Sequence, residues 1–183
     1  MTKRSSISLA IVALVLIAPA IAFGHAVVFP KNSTTGSYER YVLRVPNEKT
    51  TATTRVEIHF SADVRVTAFE DVAGWQLEVL TDSAKRTIGA VWTGTLPPGR
   101  FVEFPFMAAN PKVATKLTWP AYQTYADGMR VEWTGEEGSK TPASSTTIAP
   151  AVSAGGSGNT RWVAWGALVV AVISLGVALR PRV

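Results

Sequence analysis

The chain offers few side chains for metal chemistry: two histidines, His25 and His59, and no cysteine in 183 residues. Any bound metal must therefore be held by nitrogen and oxygen, and a zinc site built from several histidines of one chain is excluded. His25 stands out because of what precedes it. Ala22 and Gly24 fit the −3 and −1 positions of a small-x-small cleavage site, so a cut after Gly24 would make His25 the first residue. A cut after Ala22, with Ala20 at −3, fits the same rule and would instead start the chain at Phe23. A histidine at a free amino terminus presents two nitrogens from one residue, the α-amine and Nδ1, which close a six-membered chelate ring on one ion. Amine and imidazole nitrogens in a tetragonal arrangement suit copper(II), which also leads the divalent affinity order. His59 alternates with Arg55 and Glu57 and reads as a solvated histidine on the polar face of a strand.

A terminal chelate needs export and a scaffold, and both are written in the chain. Lys3 and Arg4, the apolar run Ile7 to Ile17 and the small residues that follow make residues 1–24 a secretory signal peptide. Trp162 to Leu179 carries no charge and is bracketed by Arg161, Arg180 and Arg182, which predicts a transmembrane helix over 161–180 with Trp162 and Trp165 in the interfacial belt. The topology is then a folded domain outside, a cytoplasmic tail of 181–183 and a location at the cell membrane. Residues 141–160, rich in Pro, Ala, Ser, Thr and Gly, lack apolar periodicity and are expected to form a flexible linker. The folded ectodomain is expected over 25–140.

Charge excludes one class of partner. All 13 acidic residues and 13 of the 18 basic residues fall within 25–140, so the domain is neutral by count and the overall +5 comes from the terminal segments. A nucleic-acid partner has no support, because nothing remains to neutralise phosphates. A Gly-rich phosphate loop, a G-x-S-x-G elbow and an H-E-x-x-H pair are all absent, which favours binding over catalysis.

Within 25–140 the apolar residues recur with period two. Val56, Ile58 and Phe60 alternate with Arg55, Glu57 and His59, Trp75, Leu77 and Val79 with Gln76 and Glu78, and Val102, Phe104 and Phe106 with Phe101, Glu103 and Pro105, the pattern of strands with one buried face. Pro46-Asn47, Ala73-Gly74, Pro97-Pro98-Gly99, Asn110-Pro111 and Asp127-Gly128 break the chain into short strands, and no amphipathic helix is evident. The expected fold is all-β, an antiparallel β-sandwich of immunoglobulin or cupredoxin type.

From His25 onward the chain resembles the YcnI-like copper-binding domain family. The likeness is carried by His25-Ala-Val-Val-Phe-Pro30, Tyr41-Val-Leu-Arg-Val-Pro-Asn-Glu48, Gly74-Trp75, Trp92-Thr-Gly-Thr, Phe101-Val-Glu-Phe104, Asn110-Pro111, Gln123-Thr-Tyr-Ala-Asp-Gly128 and Val131-Glu-Trp-Thr-Gly135. The resemblance implies copper(II) bound by the terminal histidine as a single-histidine brace, with a tryptophan and a carboxylate completing the site. It also implies a role in copper trafficking beside copper-transport or copper-chaperone proteins. Trp133 fits the tryptophan; an indole N–H only donates, so it would pack against the metal or hydrogen-bond a ligand. Glu103 is the preferred carboxylate, since it sits in a strand otherwise apolar on both faces, and a buried carboxylate is costly unless paired or metal-bound. Glu48 is held in reserve. Two other classes compete: a copper-dependent oxidative enzyme of the lytic-monooxygenase type, for which His59 would have to be a second ligand, and a metal-free adhesion domain.

Overall fold

Alternation sends Val56 and Ile58 inward from one strand and Phe104 and Phe106 inward from another, and all four side chains are buried. The computed structural model describes residues 24–151; the expected signal peptide up to residue 23, residues 152–160 of the expected linker, the expected transmembrane segment 161–180 and the expected tail 181–183 lie outside the described residues. Twelve strands follow one another: β1 Val27–Phe29, β2 Asn32–Thr34, β3 Tyr38–Asn47, β4 Thr53–His59, β5 Arg65–Phe69, β6 Gln76–Thr81, β7 Thr87–Leu96, β8 Arg100–Ala109, β9 Thr115–Trp119, β10 Ala121–Tyr125, β11 Arg130–Trp133 and β12 Ser144–Ala149. No helix occurs among the described residues. The fold is an all-β sandwich.

One sheet runs β1-β3-β8-β5 and the other β11-β10-β4-β7-β6, with a three-stranded sheet β2-β12-β9 beside them. Pairing is antiparallel throughout except β2 with β12, which run parallel. Aromatic side chains fill the space between sheets. Trp92 stacks on Phe104 at 4.5 Å, and Tyr41 packs against Trp119 at 4.9 Å and Phe106 at 5.6 Å. The Tyr41 hydroxyl donates to Asn110 Oδ1 at 2.6 Å, and burial pushes its pKa up to about 12, so the phenol stays a neutral core donor.

Two strands depart from the sequence reading. Leu77 and Val79 share the face of Trp92 and Ala90, which lie opposite them in the core, but β6 is the outermost strand of its sheet and both side chains stay 41 % exposed. Trp75, just before β6, does turn inward, packing edge-on against Phe104 at 5.0 Å. The second departure is β12, which takes residues 144–149 out of the expected linker. Its alternation is genuine, with Ser144, Thr146 and Ile148 all buried. Two of the three inward residues are hydroxylic, so apolar periodicity missed them. Their oxygens replace apolar contact with hydrogen bonds: Ser144 Oγ accepts Val28 N–H at 2.8 Å, and Thr146 Oγ1 accepts Trp119 Nε1–H at 3.0 Å and donates to Pro30 O at 2.8 Å.

Candidate functional site

His25 lies two residues before β1, and the β1–β3 register, Val27 opposite Arg44 and Phe29 opposite Val42, carries it alongside the far end of β3 at Pro46. That end of β3 is tightly fixed. Buried Asn47 donates from Nδ2 to Thr51 O at 2.8 Å and Leu96 O at 3.0 Å, and its Oδ1 accepts Lys49 N–H at 3.1 Å. Gly99, whose φ of +70° suits a residue without Cβ, donates its N–H to Asn47 O at 2.8 Å. Buried Gln123 on β10 donates to Pro46 O at 2.9 Å and Thr53 Oγ1 at 2.8 Å. These bonds hold the turn that presents Glu48 and Lys49.

Trp133, the last residue of β11, closes the other wall. It is 5 % exposed and belongs to the core, yet its ring also meets the His25 imidazole edge-on, with centroids 5.5 Å apart and planes at 65°. Its Nε1–H is buried with no acceptor among the described residues. Together these elements enclose a cleft of about 570 Å³ lined by His25, Glu48, Lys49, Tyr125, Trp133 and Lys140 among others. Glu48 reaches Gly24, the residue before His25: a Cβ placed on Gly24 would lie 2.7 Å from Glu48 Oε1. Burial, reinforced by the charges of Glu48 and Asp127, raises the Tyr125 hydroxyl above its usual pKa, so it faces the cleft protonated.

The structure thus brings His25 and Trp133 together and adds Glu48, but it does not bring Glu103 to them. Glu103 on β8 lies directly across from Arg44 on β3 and pairs with its guanidinium at 2.7 Å, with 39 % of its side chain exposed. Arg44 in turn lies between the Phe29 and Phe101 rings, 5.1 and 5.3 Å from their centroids. Glu103 is a surface ion-pair partner outside the cleft: its strand is otherwise apolar on both faces as expected, but the face that carries Phe101 and Glu103 is partly open to solvent, so the carboxylate is not buried. His59 sits on the outer face of β4, where Nε2 meets Glu57 Oε1 at 2.6 Å and the ring meets Tyr122 at 5.5 Å. Among the described residues no three His, Asp or Glu side chains converge. A metal at His25 would have to be held by one imidazole, one carboxylate and a main-chain nitrogen. Lys49, Tyr125 and Lys140 went unnoticed in the sequence; only the Gln123–Gly128 motif, which contains Tyr125, marked the region.

The model of a domain of unknown function, DUF1775, matches residues 25–153, beginning at His25 and ending just beyond β12. The chain belongs to this family, the YcnI-like proteins. Copper-binding protein CutI of Bacillus subtilis (strain 168) is 38 % identical over 156 residues, which span 82 % of this chain and 76 % of that protein. Among solved structures, an uncharacterized protein from Nocardia farcinica described as having an immunoglobulin-like fold superposes with a TM-score of 0.58 at 28 % identity. It covers 68 % of this chain, and 98 % of its own length is matched.

Proposed function

We propose that this YcnI-like protein is an extracytoplasmic, membrane-tethered copper(II)-binding protein whose mature chain starts at His25, and that it serves copper trafficking rather than catalysis. The observation that carries the reading is the juxtaposition of His25, Trp133 and Glu48 in one cleft, with Glu48 Oε1 against Gly24. Removing residues through Gly24 would leave the new α-amine beside that carboxylate. Imidazole Nδ1, α-amine and carboxylate oxygen form a compact nitrogen-rich set of the kind copper(II) prefers. The Trp133 N–H would donate to whatever oxygen completes the site. Kinship with a copper-binding protein at 38 % identity supports the metal, and the family match beginning at His25 supports the start point.

Three measurements test this. Mass spectrometry of the processed protein should give His25 as its first residue; a chain beginning at Phe23 would sink the brace. Copper titration should show tight, one-to-one binding by a domain beginning at His25 and much weaker binding when Gly24 is retained, because acylation converts the amine ligand to an amide. A turnover assay with peroxide or oxygen separates binder from oxidative enzyme: sustained, copper-dependent turnover would displace the trafficking role.

A further inference from the structure

The His25 cleft is far larger than a metal ion requires, and its two lysines outnumber its one carboxylate. A volume of about 570 Å³ lies within the ~300–1,000 Å³ typical of small-molecule sites. Its walls include the apolar faces of Pro46, Val131 and Trp133, a mix usual for an organic ligand. Lys49 and Lys140 line the same cleft, and among the described residues neither has a carboxylate within 4.0 Å, the distance at which ion pairs form elsewhere on the surface. Lys116, at the neighbouring cleft on the other side of His25, is by contrast neutralised by Glu137 at 2.8 Å. The Lys49 ammonium is held 4.4 Å from the centroid of the Tyr125 ring, which keeps the charge at the cleft. Glu48 is the one carboxylate among the lining residues, and the proposed copper site takes it as a ligand. Once copper is bound, the cleft therefore carries uncompensated positive charge beside a metal with few protein donors.

We infer that the cleft takes copper(II) together with a small organic carboxylate, of dicarboxylate or amino-acid size, one carboxylate reaching the metal and the other held by Lys49 and Lys140. The inference rests on the copper reading of this site. Two cations and a metal in a shared concave site favour a ligand bearing two anionic groups over a single halide or a neutral molecule. Copper would then enter or leave by exchange of such a chelate, with the lysines retaining the organic part during transfer.

Succinate is a suitable probe because its two carboxylates are separated by a short chain. The domain beginning at His25 would be titrated with succinate, with and without one equivalent of copper(II), by calorimetry and by electron paramagnetic resonance in a non-coordinating buffer of fixed ionic strength. The expected result is saturable binding at least about tenfold tighter in the copper-loaded form, with a change in the copper spectrum at saturation. Lys49→Gln with Lys140→Gln should weaken succinate binding about tenfold or more while leaving copper affinity in buffer alone nearly unchanged, and Lys49→Arg with Lys140→Arg should restore it. A copper spectrum unmoved by succinate overturns the inference, as does unchanged succinate affinity in the glutamine variant. Equal competition by sulfate would reduce the cleft to a general anion patch and also overturns it. Failure of the unmodified domain to take up copper at all would overturn the underlying copper reading, and the inference with it.

Discussion

Glu48 and Glu103 carry the same side chain, but only one of them has a free carboxylate near His25. Glu103 is committed to Arg44, and releasing it would leave that guanidinium between two aromatic rings without its counter-ion. Glu48 has no such partner among the described residues and lies against Gly24, beside His25. Accordingly, Glu48→Gln should weaken copper binding at least about tenfold and Glu103→Gln should leave it within experimental error, by competition titration. The histidines divide in the same way. His25→Ala should abolish tight binding, while His59→Ala should preserve it, because His59 is engaged with Glu57 on the outer face of β4. Nitrogen couplings in the copper(II) spectrum offer an independent count, and a spectrum showing two imidazoles would promote His59 to a ligand. His25 was legible in the sequence because cleavage rules and chelate chemistry are local. Glu48 was legible only as a reserve. Its proximity to His25 depends on β1 pairing with β3 in a register that places residue 25 near residue 46, and no local pattern encodes that register.

At the level of strands, hydrogen bonds decide what hydrophobicity does not. Thr146 on β12 serves two buried groups at once, the Trp119 indole and the Pro30 carbonyl. Thr146→Val keeps the shape and removes both bonds, so it should destabilise the domain by about 1–3 kcal/mol, measured by denaturant unfolding. A chain ending at Ala143 should fail to fold, since β2 and β9 would both lose the strand that joins them. Strands β4 and β8 were readable because their inward residues are large and apolar; β12 was not, because hydroxyls do the inward work. Edge strand β6 misled in the opposite sense: its alternation exists, yet nothing packs over Leu77 and Val79. On β4, burial alone would raise the Glu57 carboxyl, but hydrogen bonds from His59 and Arg55 outweigh it and hold the pKa below the ordinary 4.5. A folded-state pKa below the unfolded value contributes stability that is fully present above the ordinary carboxylate range and is lost as pH falls through the folded value. Urea midpoints should therefore fall more steeply below pH 4.5 for the parent protein than for Glu57→Gln, and parallel curves would refute the assignment.

For the molecule as a whole, the two ends of β3 separate the binding cleft from the point where the chain leaves the domain. His25 lies beside Pro46 at the carboxyl end of that strand, while Ala151, the last described residue, donates its N–H to Thr35 Oγ1 at 3.1 Å, just before the strand begins. Ten residues of strand span roughly 30 Å. If residues 161–180 cross the bilayer as proposed, the tether emerges from the end nearest the membrane and the cleft opens toward the exterior. That orientation suits exchange with soluble copper complexes or proteins better than with the lipid surface. Because the chain has no cysteine, single cysteines can report the geometry without interference. Val113 lies near Pro111, whose carbonyl accepts the Gly36 N–H at the exit end, and is 74 % exposed; Phe101 faces solvent opposite Pro46 at the cleft end. With the full chain in vesicles, a nitroxide on Val113→Cys should be relaxed strongly by a paramagnetic metal chelated to lipid headgroups, and one on Phe101→Cys only weakly. Equal relaxation of the two labels, or the reverse order, would mean that the cleft does not face away from the membrane and would remove the geometric case for delivery from the exterior.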